Sequence, residues 1–196
     1  MVKDLLGIIA VILIFIAYIP YIRDTHSWKT KPHVFTWLLS CIFWAIIFYF
    51  QISHNWWNGA WVTAFATVIC FYIFILSVKY GSKNITGIDT LLFCLSIFIG
   101  IIWFFTTNAV LTTVLFTLAS VISFMPTLTK SWNKPFEETL SSYSINFLRY
   151  AITIYILWAY SIVTLVHPVS WFFVNGIFCL FLIYRRRHIQ NKNLKS

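Results

Sequence analysis

Apolar residues run in seven blocks, at 5–22, 33–52, 59–79, 88–106, 108–128, 143–165 and 168–184, with short polar breaks between them. An α-helix needs roughly 20 mostly apolar residues to cross a bilayer. The pattern therefore predicts an all-α integral membrane protein with seven transmembrane helices, leaving no stretch long enough for a soluble domain. The first block follows Lys3 as a secretory signal would, but it ends Tyr-Ile-Pro-Tyr-Ile-Arg with no small-x-small step, so it is expected to stay as a helix.

The polar breaks alternate in charge. Arg23, Lys29 and Lys31 fall in the first, Lys79 and Lys83 in the third, Lys130 and Lys134 in the fifth, and Arg185, Arg186, Arg187, Lys192 and Lys195 in the tail. The second, fourth and sixth carry no Lys or Arg. Cytoplasmic loops collect these cations, so the amino terminus is expected outside and the carboxyl terminus in the cytoplasm. Trp56, Trp57, Trp61 and Trp171 then fall near the outer boundary, where an aromatic belt is one reading of them.

One polar break has a partner. Residues 17–36 hold Ile19-Pro20, Ser27-Trp28 and Lys31-Pro32; residues 123–143 hold Met125-Pro126, Ser131-Trp132 and Lys134-Pro135 in the same order. Two such elements half a chain apart suggest a duplication. With the Pro element ending helices 1 and 5, the seven helices divide as three, one and three. A first triple-helix bundle is expected over 1–82, a linker helix over 83–107, a second triple-helix bundle over 108–184 and a basic tail over 185–196. An odd linker helix gives both triples the same direction, a parallel repeat with helix 4 as inversion linker.

Composition narrows the function. Sixty per cent of residues are hydrophobic, 20% aromatic and only 10% charged, with a net charge of +9. The cations sit in loops between apolar runs, which is how they sort a topology, and no polar domain exists to carry a nucleic-acid patch. Cys41, Cys70, Cys94 and Cys179 each lie inside an apolar run, without the spacing of a metal or redox site. Paired carboxylates, HExxH, GxSxG and a glycine-rich phosphate loop are all missing, so neither catalysis nor a cofactor or metal is expected.

These residues resemble the PQ-loop and SWEET superfamily of small-solute carriers. The resemblance is carried by Pro20 with Lys29-Thr30-Lys31, by Pro126 with Lys130-Ser131, and by Asn175-Gly176 in the last apolar block. Trp158 in Ile-Leu-Trp-Ala-Tyr-Ser is similar to the family's Trp-x-x-Tyr helix, with Trp44 in Ile-Phe-Trp-Ala as a fainter copy. Gln is missing after both prolines, where Tyr21 and Thr127 stand, and Phe65-Ala66-Thr67 replaces a second Asn. The resemblance implies a three-plus-one-plus-three transporter moving a small polar metabolite by alternating access. A receptor or sorting protein on the same fold is the other reading, and a homo-oligomer is compatible with either.

The candidate substrate-binding residues are then Asn175, Trp171, Trp61, Thr67, Trp158 and Trp44. Asn175 falls near the middle of the last helix, as a solute ligand or as interhelical glue, with Trp171 one turn away on the same face. Pro20 and Pro126 are either hinges or helix ends. Arg149 is the one charge well inside an apolar block, where it either faces the bundle interior or snorkels to the headgroups. Asp24 and Asp89 are expected as solvated loop acids, with pairing to Arg149 or to Lys neighbours as the other reading. His26, His33, His54, His167 and His188 all fall near an interface rather than at mid-membrane.

Overall fold

The computed structural model describes residues 2–53, 57–82, 85–157 and 160–193, with side chains outside 2–4, 57–62 and 193. His54, Trp56, Lys83, Trp158 and Lys195 lie outside the described residues, and so do the side chains of Lys3, Trp57 and Trp61.

Among the described residues the chain is all helical. The helices are α1 (Val2–His26), α2 (Val34–Ser53), α3 (Trp57–Tyr80), α4 (Gly87–Phe104), α5 (Ala109–Asn133), α6 (Leu140–Ile156) and α7 (Ile162–Asn193), with a 3-10 turn at Pro135–Glu137. Six are long and apolar enough to cross a membrane. The exception is α6, whose 17 residues span about 25 Å, short of the ~30 Å hydrocarbon core.

The boundary between α6 and α7 differs from the sequence expectation. Helix 6 stops at Ile156, and α7 starts at Ile162 rather than at Pro168. A reciprocal cap makes this start: the Thr164 N–H donates to Ser161 Oγ at 3.3 Å, and the Ser161 N–H donates to Thr164 Oγ1 at 3.0 Å. Two orphan donors of the first turn are thereby satisfied, and Pro168 is carried inside the helix. Helix 7 also continues through Arg185, Arg186 and Arg187, so most of the basic tail is helical.

Both element prolines lie within continuous helices, so neither Pro20 nor Pro126 ends one. A proline in a helix strips the hydrogen bond from the carbonyl four residues back and tilts its neighbours. Next to that gap in α5, the Thr36 hydroxyl from α2 donates to the Ser123 carbonyl at 2.8 Å and meets Thr127 Oγ1 at 3.1 Å.

Helix contacts divide the chain into two compact units, Met1–Thr30 with Leu128–Ser196, and Lys31–Thr127. In the first unit α6 packs against both α1 and α7. In the second, α2 packs against α3 and α4, and Leu39 and Phe43 of α2, Ile99 and Trp103 of α4 and Ala119 of α5 form one buried cluster. The sequence pattern groups α1 with α2 and α3, and α5 with α6 and α7. The packing exchanges the first member of each triple: α1 lies on α6, α5 lies on α2, and α4 shares the core of the second unit.

Helix 1 closes with a Schellman cap, in which the Lys29 N–H donates to the Asp24 carbonyl at 2.9 Å and the Trp28 N–H to the Thr25 carbonyl at 3.1 Å. This cap needs a left-handed residue, normally glycine. Trp28 fills the position at φ 59°, which costs a non-glycine residue about 1–2 kcal/mol.

Candidate functional site

In the first unit, a polar and aromatic cluster lies between α6 and α7. Asn175 and Trp171 share a helix face, and the Asn175 amide Nδ2 donates to the Trp171 carbonyl at 2.7 Å. The Asn175 side chain is buried. Tyr150 of α6 stacks parallel on Trp171 with centroids 6.4 Å apart, and His167 packs edge-on to both. Arg149 joins through its guanidinium, 3.8 Å from the centre of the Tyr150 ring, while its Nε donates to Asn146 Oδ1 at 3.1 Å. Arg149 is half-buried and has protein partners on its own helix. Gly176 permits the close fit, because a Cβ there would come within 2.8 Å of the Phe147 ring.

Of the other candidate substrate-binding residues, Thr67, Trp44 and Trp61 belong to the second unit. Thr67 of α3 is half-buried and donates to the Thr63 carbonyl at 2.8 Å, one turn back in its own helix. Trp44 of α2 is half-buried. The backbone of Trp61 lies in α3. The cluster in the first unit thus brings together Asn175, Trp171 and Arg149, and it adds Tyr150, His167 and Asn146.

A second constellation was not expected from the sequence. At the basic end of the first unit, Lys130 and Glu138 form a buried ion pair, their side chains 5% and 0% exposed. The Tyr143 hydroxyl donates to the other Glu138 oxygen at 2.8 Å. Around this pair the polypeptide is laced together. Thr139 donates to Asp24 Oδ2 at 3.2 Å and shares a short hydroxyl contact with Thr30. Arg186 donates from Nε to the Pro135 carbonyl at 3.0 Å and from its terminal nitrogen to the Glu138 carbonyl at 2.6 Å. Arg185 caps the Trp132 carbonyl at 2.9 Å and lies over the Trp132 ring at 4.5 Å. Pairing stands in for hydration here, since an unpaired charge at that depth carries a heavy desolvation penalty.

The second unit has its own buried acid and base. His33 Nε2 lies 3.6 Å from Asp89 Oδ2, with both side chains buried. Asp89 also caps α4: it accepts from the Thr86 N–H at 2.9 Å, and its own N–H donates to Thr86 Oγ1 at 3.2 Å. This corrects the expectation that Asp89 is a solvated loop acid. A carboxylate at the third helical position reaches back to the N–H of the cap residue Thr86, and His33 then packs beside it.

The scarcity of acids was the available signal. Against 14 Lys and Arg the chain has only five Asp and Glu, so each carboxylate beside an apolar run has cations in reach.

At both Lys-Pro junctions the proline carbonyl accepts a hydrogen bond, from a backbone N–H in one and from an arginine side chain in the other. The Ser82 N–H, just past the end of α3, donates to the Pro32 carbonyl at 3.2 Å. Arg186, near the end of α7, donates to the Pro135 carbonyl at 3.0 Å. In each unit the carbonyl of the Lys-Pro proline is thus bonded from another helix or its end.

Fold and composition define a class, the multi-pass all-α membrane proteins. No protein-family model, curated protein or solved structure matches the chain.

Proposed function

We propose that this chain is a carrier for a small polar metabolite, built from two copies of a three-helix element with α4 between them, on the plan of the PQ-loop and SWEET superfamily. The observation that carries the reading is the equivalence of the two Lys-Pro junctions, Pro32 bonded by Ser82 and Pro135 by Arg186. Its companion is the reciprocal packing of α1 on α6 and of α5 on α2, seen in the edge contact of Tyr21 on Tyr143 and the Thr36 bonds to α5. A duplicated element whose first helix crosses to the other copy produces this pairing twice. Paired repeats with polar side chains near mid-membrane are the architecture of alternating-access carriers.

In this reading Trp171 and Tyr150 offer flat faces to a solute, and Asn175 and Arg149 offer hydrogen-bond donors. Pro20 and Pro126 act as hinges in the two exchanged helices. A thermal-shift screen of sugars, amino acids and vitamin-like solutes on the purified protein tests it, since a bound ligand raises apparent stability. Asn175→Ala is expected to fold in normal yield and to weaken binding of the stabilising solute by about 1–3 kcal/mol, the cost of leaving a buried polar group unpaired. Arg149→Ala is expected to weaken binding more than expression. If both variants bind as wild type does, or if both fail only in folded yield, the cluster is packing and not a binding site.

The proposed orientation has the amino terminus outside and the carboxyl terminus in the cytoplasm, with α6 completing the seventh crossing. It rests on the alternation of cationic and uncharged loops. A reporter fused after Ser196 is expected to be active only on the cytoplasmic side. Activity on the outer side alone would reverse the topology.

A further inference from the structure

The basic end of the first unit carries exposed aromatic and cationic side chains. Thr139 ties the end of α1 to the 3-10 turn through Asp24 and Thr30, and Arg185 and Arg186 tie α7 to the same turn. Three chain segments are therefore held at one end. From them project two tryptophans, Trp28 at 60% exposure and Trp132 at 54%. Lys29, Lys134, Arg187 and Lys192, on the same segments, are exposed too.

The carboxylates at this end are withdrawn. Glu138 is buried with Lys130, and Asp24 is taken by Arg23 at 3.0 Å and by Thr139. Glu137 is half-buried. The outward charge among the described residues here is positive.

Two observations point to what covers this surface. Helix 7 has 32 residues, about 48 Å, more than the ~40–45 Å of a bilayer with its headgroups, so its cationic turns pass through the headgroup layer. Trp28 holds its exposed indole on a left-handed backbone where glycine fits without strain. The indole is mostly exposed there, and the headgroup boundary is where tryptophan partitions.

We propose that this end binds anionic phospholipid headgroups, with Lys29, Lys134, Arg187 and Lys192 on the lipid phosphates and Trp28 and Trp132 seated at the acyl boundary. The site does not depend on the carrier reading. Each cation near an anionic surface contributes roughly fivefold to binding. Arg185 and Arg186 are left out because their guanidinium groups are spent on backbone carbonyls.

The test uses the full-length protein in neutral detergent, with retained lipid counted by native mass spectrometry. Dioleoylphosphatidylglycerol is compared with dioleoylphosphatidylcholine. The wild type is expected to retain the anionic lipid at least about fivefold better. The triple variant Lys134→Gln, Arg187→Gln, Lys192→Gln leaves every buried contact in place and is expected to lose most of that preference. Trp28→Gly relieves the strained backbone, so it is expected to retain less of the anionic lipid while its thermal stability holds or rises. A purely structural role for Trp28 gives no such split.

Equal retention of the two lipids, or an unchanged preference in the triple variant, overturns the proposal. So does displacement of the lipid by millimolar inorganic phosphate, which marks a soluble-anion site. Displacement by an acidic polypeptide at equal charge assigns the surface to a protein partner instead. If the triple variant folds poorly, Lys192→Gln alone, in the last turn of α7, is expected to show a smaller loss of the same sign, and no loss overturns the proposal.

Discussion

Glu138→Ala is expected to cost about 3–5 kcal/mol of folded stability, the penalty for leaving a buried charge without its partner. The Lys130 ammonium loses its carboxylate partner, and the Tyr143 hydroxyl loses its bond to the Glu138 carboxylate. The neighbouring backbone bonds from Arg186 hold the 3-10 turn against the end of α7, so the lost pair is not replaced by water without opening that end. Removing both charges as Lys130→Met with Glu138→Leu is expected to be much milder than Glu138→Ala, because replacing a buried ion pair by apolar groups is often neutral or stabilising. Denaturant unfolding in mixed micelles measures both. A Glu138→Ala loss below about 1 kcal/mol, the range of an exposed pair, shows that water reaches the site.

What could be read from the chain before its packing follows from which forces are local. Hydrophobic length is local, and each apolar block holds one of the seven α-helices of the described residues, six of them long enough to cross a membrane, with Asn175 and Trp171 on one face because four residues make a turn. The start of α7 was misplaced because Pro168 is a strong punctuation mark, whereas the Ser161 and Thr164 cap that begins the helix has no Glu or Gln to announce it. Partner choice is not local. Helix 1 is apolar on all sides, and an all-round apolar helix carries no stripe to say which neighbour it meets. Its placement on α6 was therefore unreadable.

The buried acids were missed for a related reason. Asp89 and Glu138 fall in polar breaks, and polarity in a break suggests solvent. Their burial is set by distant segments: His33 for the one, and Lys130, Tyr143 and Arg186 for the other. Tyr150 and His167 joined the α6–α7 cluster in the same way, across a helix interface with no signature along the chain.

Gly81→Ala is expected to destabilise the second unit by at least about 3 kcal/mol, the upper end of what an added methyl costs in a packed interior. An added Cβ would lie 2.0 Å from the Ser77 carbonyl oxygen and 2.5 Å from that of Pro32. Both are backbone atoms, so no side chain can rotate away to make room. The main chain must move, and the first casualty is the Ser82 N–H bond to Pro32, the lock on this Lys-Pro junction. Gly87→Ala is the matched control, because a Cβ there meets nothing within 4 Å and the residue opens α4. That change is expected to be neutral or to stabilise by up to about 1 kcal/mol through helix propensity. Thermal unfolding of the two variants in the same detergent separates close approach from a general intolerance of alanine in the α3–α4 connection. If Gly81→Ala unfolds with the wild type, the loop has room to shift, and the junction is not held as tightly as the Pro32 contact implies.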